Sequence, residues 1–224
     1  MADFNPADIR AILFDMDGTL VDSEKVWDVA LNELAVRAGG VLSPAARLAM
    51  IGSSMASSMR ILREDLAQPD RDEAADVAWL EHRVEELFGN GLVWRPGALE
   101  LLRAVRAAGL PTALVTSTGR RLVEVALDTL GRENFDAVVC GDEVSAPKPD
   151  PAPYRTAADL LGVKIEDCVA IEDSPTGMAS AVASGAAVLA VPAELELPAT
   201  DGVHLRDSLV GVDPRFLASV LAAA

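Results

Sequence analysis

Ala11-Ile12-Leu13-Phe14-Asp15-Met16-Asp17-Gly18-Thr19-Leu20 is the stretch whose reading decides the fold. Its first four residues form a short apolar run of the kind that makes a buried strand, and the C-terminal end of such a strand is where α/β proteins place their chemistry. Asp15 and Asp17 stand two residues apart on extended chain, so their carboxylates point the same way and crowd two negative charges together. Such crowding demands compensation: one carboxyl keeps its proton, or a cation such as Mg²⁺ sits beside the pair. Gly18 permits a sharp turn at positive φ, and Thr19 adds a hydroxyl. Taken alone, the stretch is also compatible with an Asp-rich turn that merely caps a strand.

Similar short runs recur at residues 113–116, 137–140, 169–171 and 188–191, separated from the second onward by helical stretches. That alternation predicts βαβ units and an α/β fold with a Rossmann-like, doubly wound parallel sheet. Ser43-Pro44, Asp150-Pro151, Ser174-Pro175 and Asp213-Pro214 mark helix starts, because proline fits the first helical position where its missing N–H costs nothing. Between the first and second runs, residues 21–92 show helical periodicity and no clear strand. Asp70 with Glu73 predicts a capping box, and Val77, Leu80, Val84 and Leu87 follow at helical steps. The expected organisation is therefore a core formed by residues 1–20 and 93–224, with 21–92 inserted as a second, helical domain. Leu20–Ser23 and Leu92–Gly97 are its two adjacent connections to the core.

A chain of 224 residues with half of them apolar buries a sizeable core. The net charge of −16 excludes attraction to nucleic acid or to an anionic membrane through a general field, so an anionic substrate needs a locally positive site. The acidic run from Glu64 to Glu86 reads as a solvated helical face. Cys140 and Cys168 each border a valine-rich run and are expected as buried, reduced thiols. His82 and His204 stand alone, as surface or packed side chains. The N-terminus shows no basic-then-apolar targeting pattern, and no uninterrupted apolar run reaches membrane-spanning length; a cytoplasmic monomer is the expectation.

Three further segments share the chemistry of the first. Val115-Thr116-Ser117-Thr118-Gly119 offers hydroxyls and free N–H groups leading into a helix, a favourable place for phosphate oxygens, although Ser and Thr also cap helices with no such role. Ala146-Pro147-Lys148-Pro149 restrains one lysine between two prolines, which suits either a positioned ammonium or a plain turn. Glu172-Asp173-Ser174-Pro175 places hard oxygen ligands ahead of a helix start, where Asp173 also serves as a capping candidate. An open parallel sheet gathers its strand C-termini at one crevice, so the four segments converge there.

Asp15-x-Asp17-Gly18-Thr19, Thr116-Ser117, Lys148 and Glu172-Asp173 match, in order, the four motifs of the haloacid dehalogenase (HAD) superfamily. The chain resembles its branch with an inserted helical cap, which contains phosphoglycolate phosphatase and β-phosphoglucomutase. The resemblance implies that Asp15 attacks phosphorus and forms an aspartyl-phosphate, and that Asp17 protonates the leaving oxygen and then activates water. It implies Mg²⁺ held by the Asp15 carboxylate, the Asp17 carbonyl, Asp173 and, directly or through water, Glu172. Lys148, the Thr116 hydroxyl and the Ser117 N–H are implied to neutralise the phosphoryl oxygens.

The presence of Asp17 favours phosphoryl transfer over dehalogenation, because dehalogenase members lack its equivalent. Lys25, the only lysine of the inserted segment, reads as solvated rather than as a Schiff-base former. Mutase-like members grip a second phosphate with basic residues around a cap-loop glycine. The matching stretch here, Met50-Ile51-Gly52-Ser53-Ser54-Met55, is uncharged, and Arg60 is the nearest cation that follows it. Gly52 and Ser53 are thus expected to meet an uncharged part of the substrate. The implied activity is a Mg²⁺-dependent phosphatase of a small phosphorylated metabolite, a sugar, polyol or glycolate phosphate. A phosphosugar mutase and a phospho-aspartate signalling module are the rivals. Trp27, Met55 and Met59 suit either an apolar wall of the crevice or packing between cap helices.

Overall fold

The computed structural model describes residues 8–224, so the first seven, with the expected start of the core and any targeting pattern there, lie outside the described residues. Six parallel strands form one sheet in the order β3-β2-β1-β4-β5-β6: β1 (Ala11–Phe14), β2 (Thr112–Val115), β3 (Ala137–Val139), β4 (Cys168–Glu172), β5 (Ala187–Ala190) and β6 (Val203–Leu205). β1 lies between β2 and β4, where the strand order reverses, so the crevice of the sheet opens beyond its C-terminal end.

Alternation along the central strands sorts side chains to two faces. Ile12 and Phe14 join one cluster with α5 (Ala98–Ala107), α6 (Arg120–Leu130) and α9 (Pro214–Ala222), whereas Ala11 and Leu13 join another with α7 (Ala152–Leu161) and α8 (Pro175–Ser184). Helices therefore cover both faces, as the doubly wound reading requires, and Phe14, Leu13 and Ile12 are fully buried. Each such side chain contributes about 1.5–3 kcal/mol of transfer free energy. The five expected strands are all present, with ends shifted by a residue or two. β6 escaped sequence reading because it is a three-residue edge strand containing His204, with its Leu205 exposed.

Four helices follow β1 before the chain returns: α1 (Glu24–Arg37), α2 (Pro44–Met50), α3 (Met55–Asp65) and α4 (Glu73–Phe88). Ser43, Ser174 and Asp213 cap their helices as expected, each accepting from the N–H three residues on. Two helix starts differ. Pro151 occupies the cap position of α7, and Asp150 Oδ1 accepts from the Ala152 N–H at 2.9 Å. α4 is capped by Asp72 Oδ1 on the Ala75 N–H, 3.1 Å, and not by a box between Asp70 and Glu73. The buried stripe of α4 runs through Asp76, Leu80, Val84 and Phe88, with Val77 and Leu87 half-buried. The acidic run is accordingly not all solvated: Asp76 is buried and holds Arg71 at 2.5 Å.

The two connections run side by side. Val21 and Trp94 form an antiparallel bridge, the Asp22 N–H donates to the Val93 carbonyl (2.8 Å), and the Arg95 N–H donates to the Leu20 carbonyl (2.9 Å). No helix among the described residues is long and apolar enough to cross a membrane.

Cys140 and Cys168 are free and buried, and burial pushes both thiols up to about 12. A thiol reagent at pH 8 is expected to leave the native protein unlabelled and to modify both residues after unfolding. Because the folded state keeps protons that the unfolded state sheds, stability falls as pH rises from about 9 towards 12. Rapid labelling of the native chain would contradict this placement.

Candidate active site

Asp15 follows β1 directly, and its N–H donates to the Ile171 carbonyl of β4 at 3.0 Å, which sets its carboxylate beside the end of that strand. Glu172 is the last residue of β4, and Asp173 begins the turn into α8. Carboxylate oxygens of Asp15, Glu172 and Asp173 lie within 4.8 Å of one another, and all three residues are buried. Two glycines permit this closeness. Gly18 has φ +83°, and a Cβ there would lie 2.0 Å from Asp173 Oδ2; a Cβ on Gly177 would lie 2.0 Å from Glu172 Oε2.

One ammonium serves the cluster. Lys148 Nζ donates to Asp15 Oδ1 (2.7 Å), Glu172 Oε1 (2.6 Å) and the Val115 carbonyl (2.9 Å), which uses all three of its protons. Burial opposes its charge, yet the Asp15 and Glu172 carboxylates hold the ammonium above the usual lysine range. Three buried carboxylates against one lysine leave two negative charges uncompensated. In consequence burial, reinforced by Glu172 and Asp17 against the pull of Lys148, pushes Asp15 up to about 8. Asp173 is likewise raised, by burial and then by Asp15 and Glu172. Asp15 Oδ2 is buried with no hydrogen-bond partner among the described residues. A charge deficit of two, hard oxygens and an orphaned lone pair fit a divalent cation.

Asp17 receives four hydrogen bonds. Ser23 Oγ (2.6 Å) and Trp27 Nε1 (3.3 Å) donate to its Oδ1; Thr116 Oγ1 (3.1 Å) and Thr118 Oγ1 (2.7 Å) donate to its Oδ2. The Thr116 hydroxyl, which also accepts from the Thr118 N–H at 3.0 Å, is committed to Asp17 rather than to the open space. Ser117 does line that space.

The crevice is a cavity of about 300 Å³ between the strand ends and the helical segment, at the small end of ligand sites. Asp15, Asp17, Ser117, Lys148 and Asp173 line it from the sheet; Glu24, Trp27, Arg47, Gly52, Ser53 and Met55 line it from the helices. Gly52 has φ +67° and rests on Ser174, where a Cβ would come within 2.9 Å of Oγ. Ser53 Oγ shares a hydrogen bond with Ser58 Oγ at 2.7 Å. Met59 packs in the core, whereas Trp27 and Met55 face the cavity. Trp27 also meets Phe88 edge-on at 6.4 Å.

Several participants have roles that the sequence does not signal. Tyr154, the only tyrosine, donates its hydroxyl to Glu172 Oε1 and lays its ring 5.1 Å from Lys148 Nζ. Its signal was its place in the first turn of the helix just after Lys148. Thr118, Ser23 and Trp27 grip Asp17, and Glu24 with Arg47 enters the cavity. Arg60 is no neighbour of the cavity; it pairs with Glu64 on the surface at 3.0 Å. Lys25 is largely exposed beside Asp22, in keeping with its solvated reading.

Comparisons with known proteins identify the family. The haloacid dehalogenase-like hydrolase family matches residues 9–185. Hexitol phosphatase A of Escherichia coli (strain K12) is 36% identical over 197 residues, covering 88% of this chain and 89% of that protein. Phosphoglycolate phosphatase of Rhodospirillum rubrum is 33% identical over 189 residues, covering 80% and 78%. A crystal structure of a CbbY mutant from Rhodobacter sphaeroides, in complex with xylulose-(1,5)bisphosphate, superposes with a TM-score of 0.79 at 30% identity, covering 91% and 96%. With its four motif segments gathered at one sheet edge, the chain is an enzyme that belongs to the haloacid dehalogenase-like hydrolases.

Proposed function

We propose that the chain is a Mg²⁺-dependent, cytoplasmic, monomeric phosphatase that hydrolyses a small phosphorylated metabolite, a sugar, polyol or glycolate phosphate, through an aspartyl-phosphate on Asp15. The carrying observation is the juxtaposition of the unpartnered Asp15 Oδ2, the Asp17 carboxylate and a two-charge deficit against one small cavity. The phosphatase names of two relatives support the substrate class. Residues 21–92 act in this reading as a cap over the core of residues 1–20 and 93–224.

Asp15, Glu172 and Asp173 would hold Mg²⁺, with the Asp17 carbonyl beside them. When bound, the ion offsets the carboxylate charge and that of the phosphoryl oxygens. A carboxylate oxygen of Asp15 attacks phosphorus; the bond from phosphorus to the ester oxygen breaks, and that oxygen takes a proton from Asp17 as the alcohol leaves. Water then attacks the phosphoryl group, Asp17 takes its proton, and the bond to Asp15 breaks to release phosphate. The hydroxyls of Thr116, Thr118 and Ser23 can turn to accept when Asp17 carries the proton, so the carboxyl stays in place in both half-reactions. Lys148 keeps Asp15 and Glu172 apart in charge and orientation, and the Ser117 N–H faces the phosphoryl oxygens.

The test is phosphate release from hexose, hexitol and glycolate phosphates with Mg²⁺ and then with chelator. Release is expected to stop on chelation and return with Mg²⁺. Asp17→Asn is expected to slow it by ~10²–10⁴-fold and to let phosphorylated protein accumulate, visible in the intact mass. Migration of phosphate within a sugar without release would point to a mutase, and a phosphoprotein lasting minutes in the native chain to a signalling module.

A further inference from the structure

Arg47 is the only cation on the helical side of the cavity among the described residues that line it. It is not free to meet an anion. Its Nη2 donates to Glu24 Oε2 (2.7 Å) and to the Glu24 carbonyl (2.9 Å), and its Nε donates to Asp28 Oδ1 (3.2 Å). The Arg47 and Glu24 side chains are 14% and 9% exposed, so the pair is an inner wall and not a surface contact. Burial raises the Glu24 carboxyl against the opposing pull of Arg47.

These contacts use three of the five guanidinium protons and one carboxylate oxygen. The Nη1 protons of Arg47 and Oε1 of Glu24 have no partner among the described hydrogen bonds, and they belong to side chains that face the same space. A donor beside an acceptor is what a hydroxyl needs, since it both gives and takes a hydrogen bond. A phosphate dianion only accepts, and here it would meet Glu24, with Glu81 also in the lining, and no uncommitted cation on the helical side. Ser53, Ser54 and Ser58, also in the lining, extend the hydroxyl-matching surface.

Building on the phosphatase reading, we infer that Glu24 and Arg47 form a specificity-determining pair that selects a monophosphate with a polyhydroxylated chain and refuses a second phosphate at its far end. The pair acts by occupying the cation: Glu24 is the repulsive element, Arg47 the hydroxyl donor. The chain thus parts in substrate from the CbbY structure that holds a bisphosphate.

The experiment is calorimetric titration in Mg²⁺ on the Asp15→Asn background, which reads binding without turnover. The probes are a hexitol 6-phosphate, a hexose 1,6-bisphosphate and glycolate phosphate. The hexitol phosphate is expected to bind about tenfold or more tighter than the bisphosphate, and Glu24→Gln to shrink that ratio by about tenfold or more as Arg47 becomes available. Arg47→Met should weaken the hexitol phosphate by about tenfold and leave glycolate phosphate, too short to reach the pair, nearly unchanged. An unmoved ratio in a folded Glu24→Gln, or equal losses for long and short ligands in Arg47→Met, would overturn the inference. If Glu24→Gln fails to fold, the long-against-short comparison in Arg47→Met decides. Absence of phosphate release by the unmodified chain from any ester would remove the phosphatase reading alone, because the binding ratios stand apart from turnover.

Discussion

Asp15→Asn is expected to lose phosphate release by ~10⁴-fold or more, as removal of a nucleophile does in enzymes whose groups act as a unit, and yet to stay folded. The amide keeps the size and shape of the carboxyl and one oxygen to accept from Lys148. It replaces the unpartnered Oδ2 with a donor facing a carboxylate-rich surround. Stability should therefore hold or rise without metal. The sign follows from the raised carboxyl: a group pushed up to about 8 stabilises the fold at low pH and loses that contribution as pH climbs through 8. Metal-free wild type should then lose stability relative to Asp15→Asn between about pH 4 and 8, measured by thermal melts in chelator. Retained turnover in the variant would remove the covalent mechanism.

Lys148→Met is the second large effect, and it falls on stability as well as rate. Asp15 and Glu172 would share a buried site with no ammonium between them, and Tyr154 would be left donating to a carboxylate that has lost its counter-charge. Removing one partner of a buried ionic cluster costs about 3–5 kcal/mol, a fall in Tm of roughly 6–20 °C for a chain of this size. Mg²⁺ should restore part of that loss, since a divalent ion supplies the charge that the lysine withdrew. A melting curve unchanged in chelator would mean that the three carboxylates are not charged together, and the demand for a cation would fall with it.

How far the sequence carries the structure depends on what each residue signals locally. The strand-end carboxylates were readable because an apolar run followed by Asp15 and Asp17 has few meanings, and the parallel sheet does the gathering. The capping residues Ser43, Ser174 and Asp213 were readable because proline marks the position next to them. The error at α4 arose where proline was absent: Asp70 and Asp72 both offer a cap, and only packing of Leu80, Val84 and Phe88 decides between them. The roles of residues that act through a neighbour are hidden for a related reason. Tyr154 carries no motif of its own, Thr118 is legible only as one hydroxyl of its segment and Trp27 only as an apolar or packing side chain; their polar roles arise because folding sets them on Glu172 and Asp17 from 18, 101 and 10 positions away. Arg47 gives no signal in the loop itself: it stands on the helix before the loop, which turns towards the cavity, whereas Arg60 beyond the loop is not among the lining residues.

The pairing of Val21 with Trp94, flanked by backbone hydrogen bonds at Asp22 and Arg95, means that the helical segment begins and ends at the same point in space. A piece of chain whose two ends already touch spans no gap in its host. The pairing of β1 with β2 and β4 therefore sets no length for the helices that lie between the two connections. On the phosphatase reading proposed above, Ser23 and Trp27, just beyond the entry, tie the segment to Asp17, so the joint sits beside the carboxylate it helps to hold.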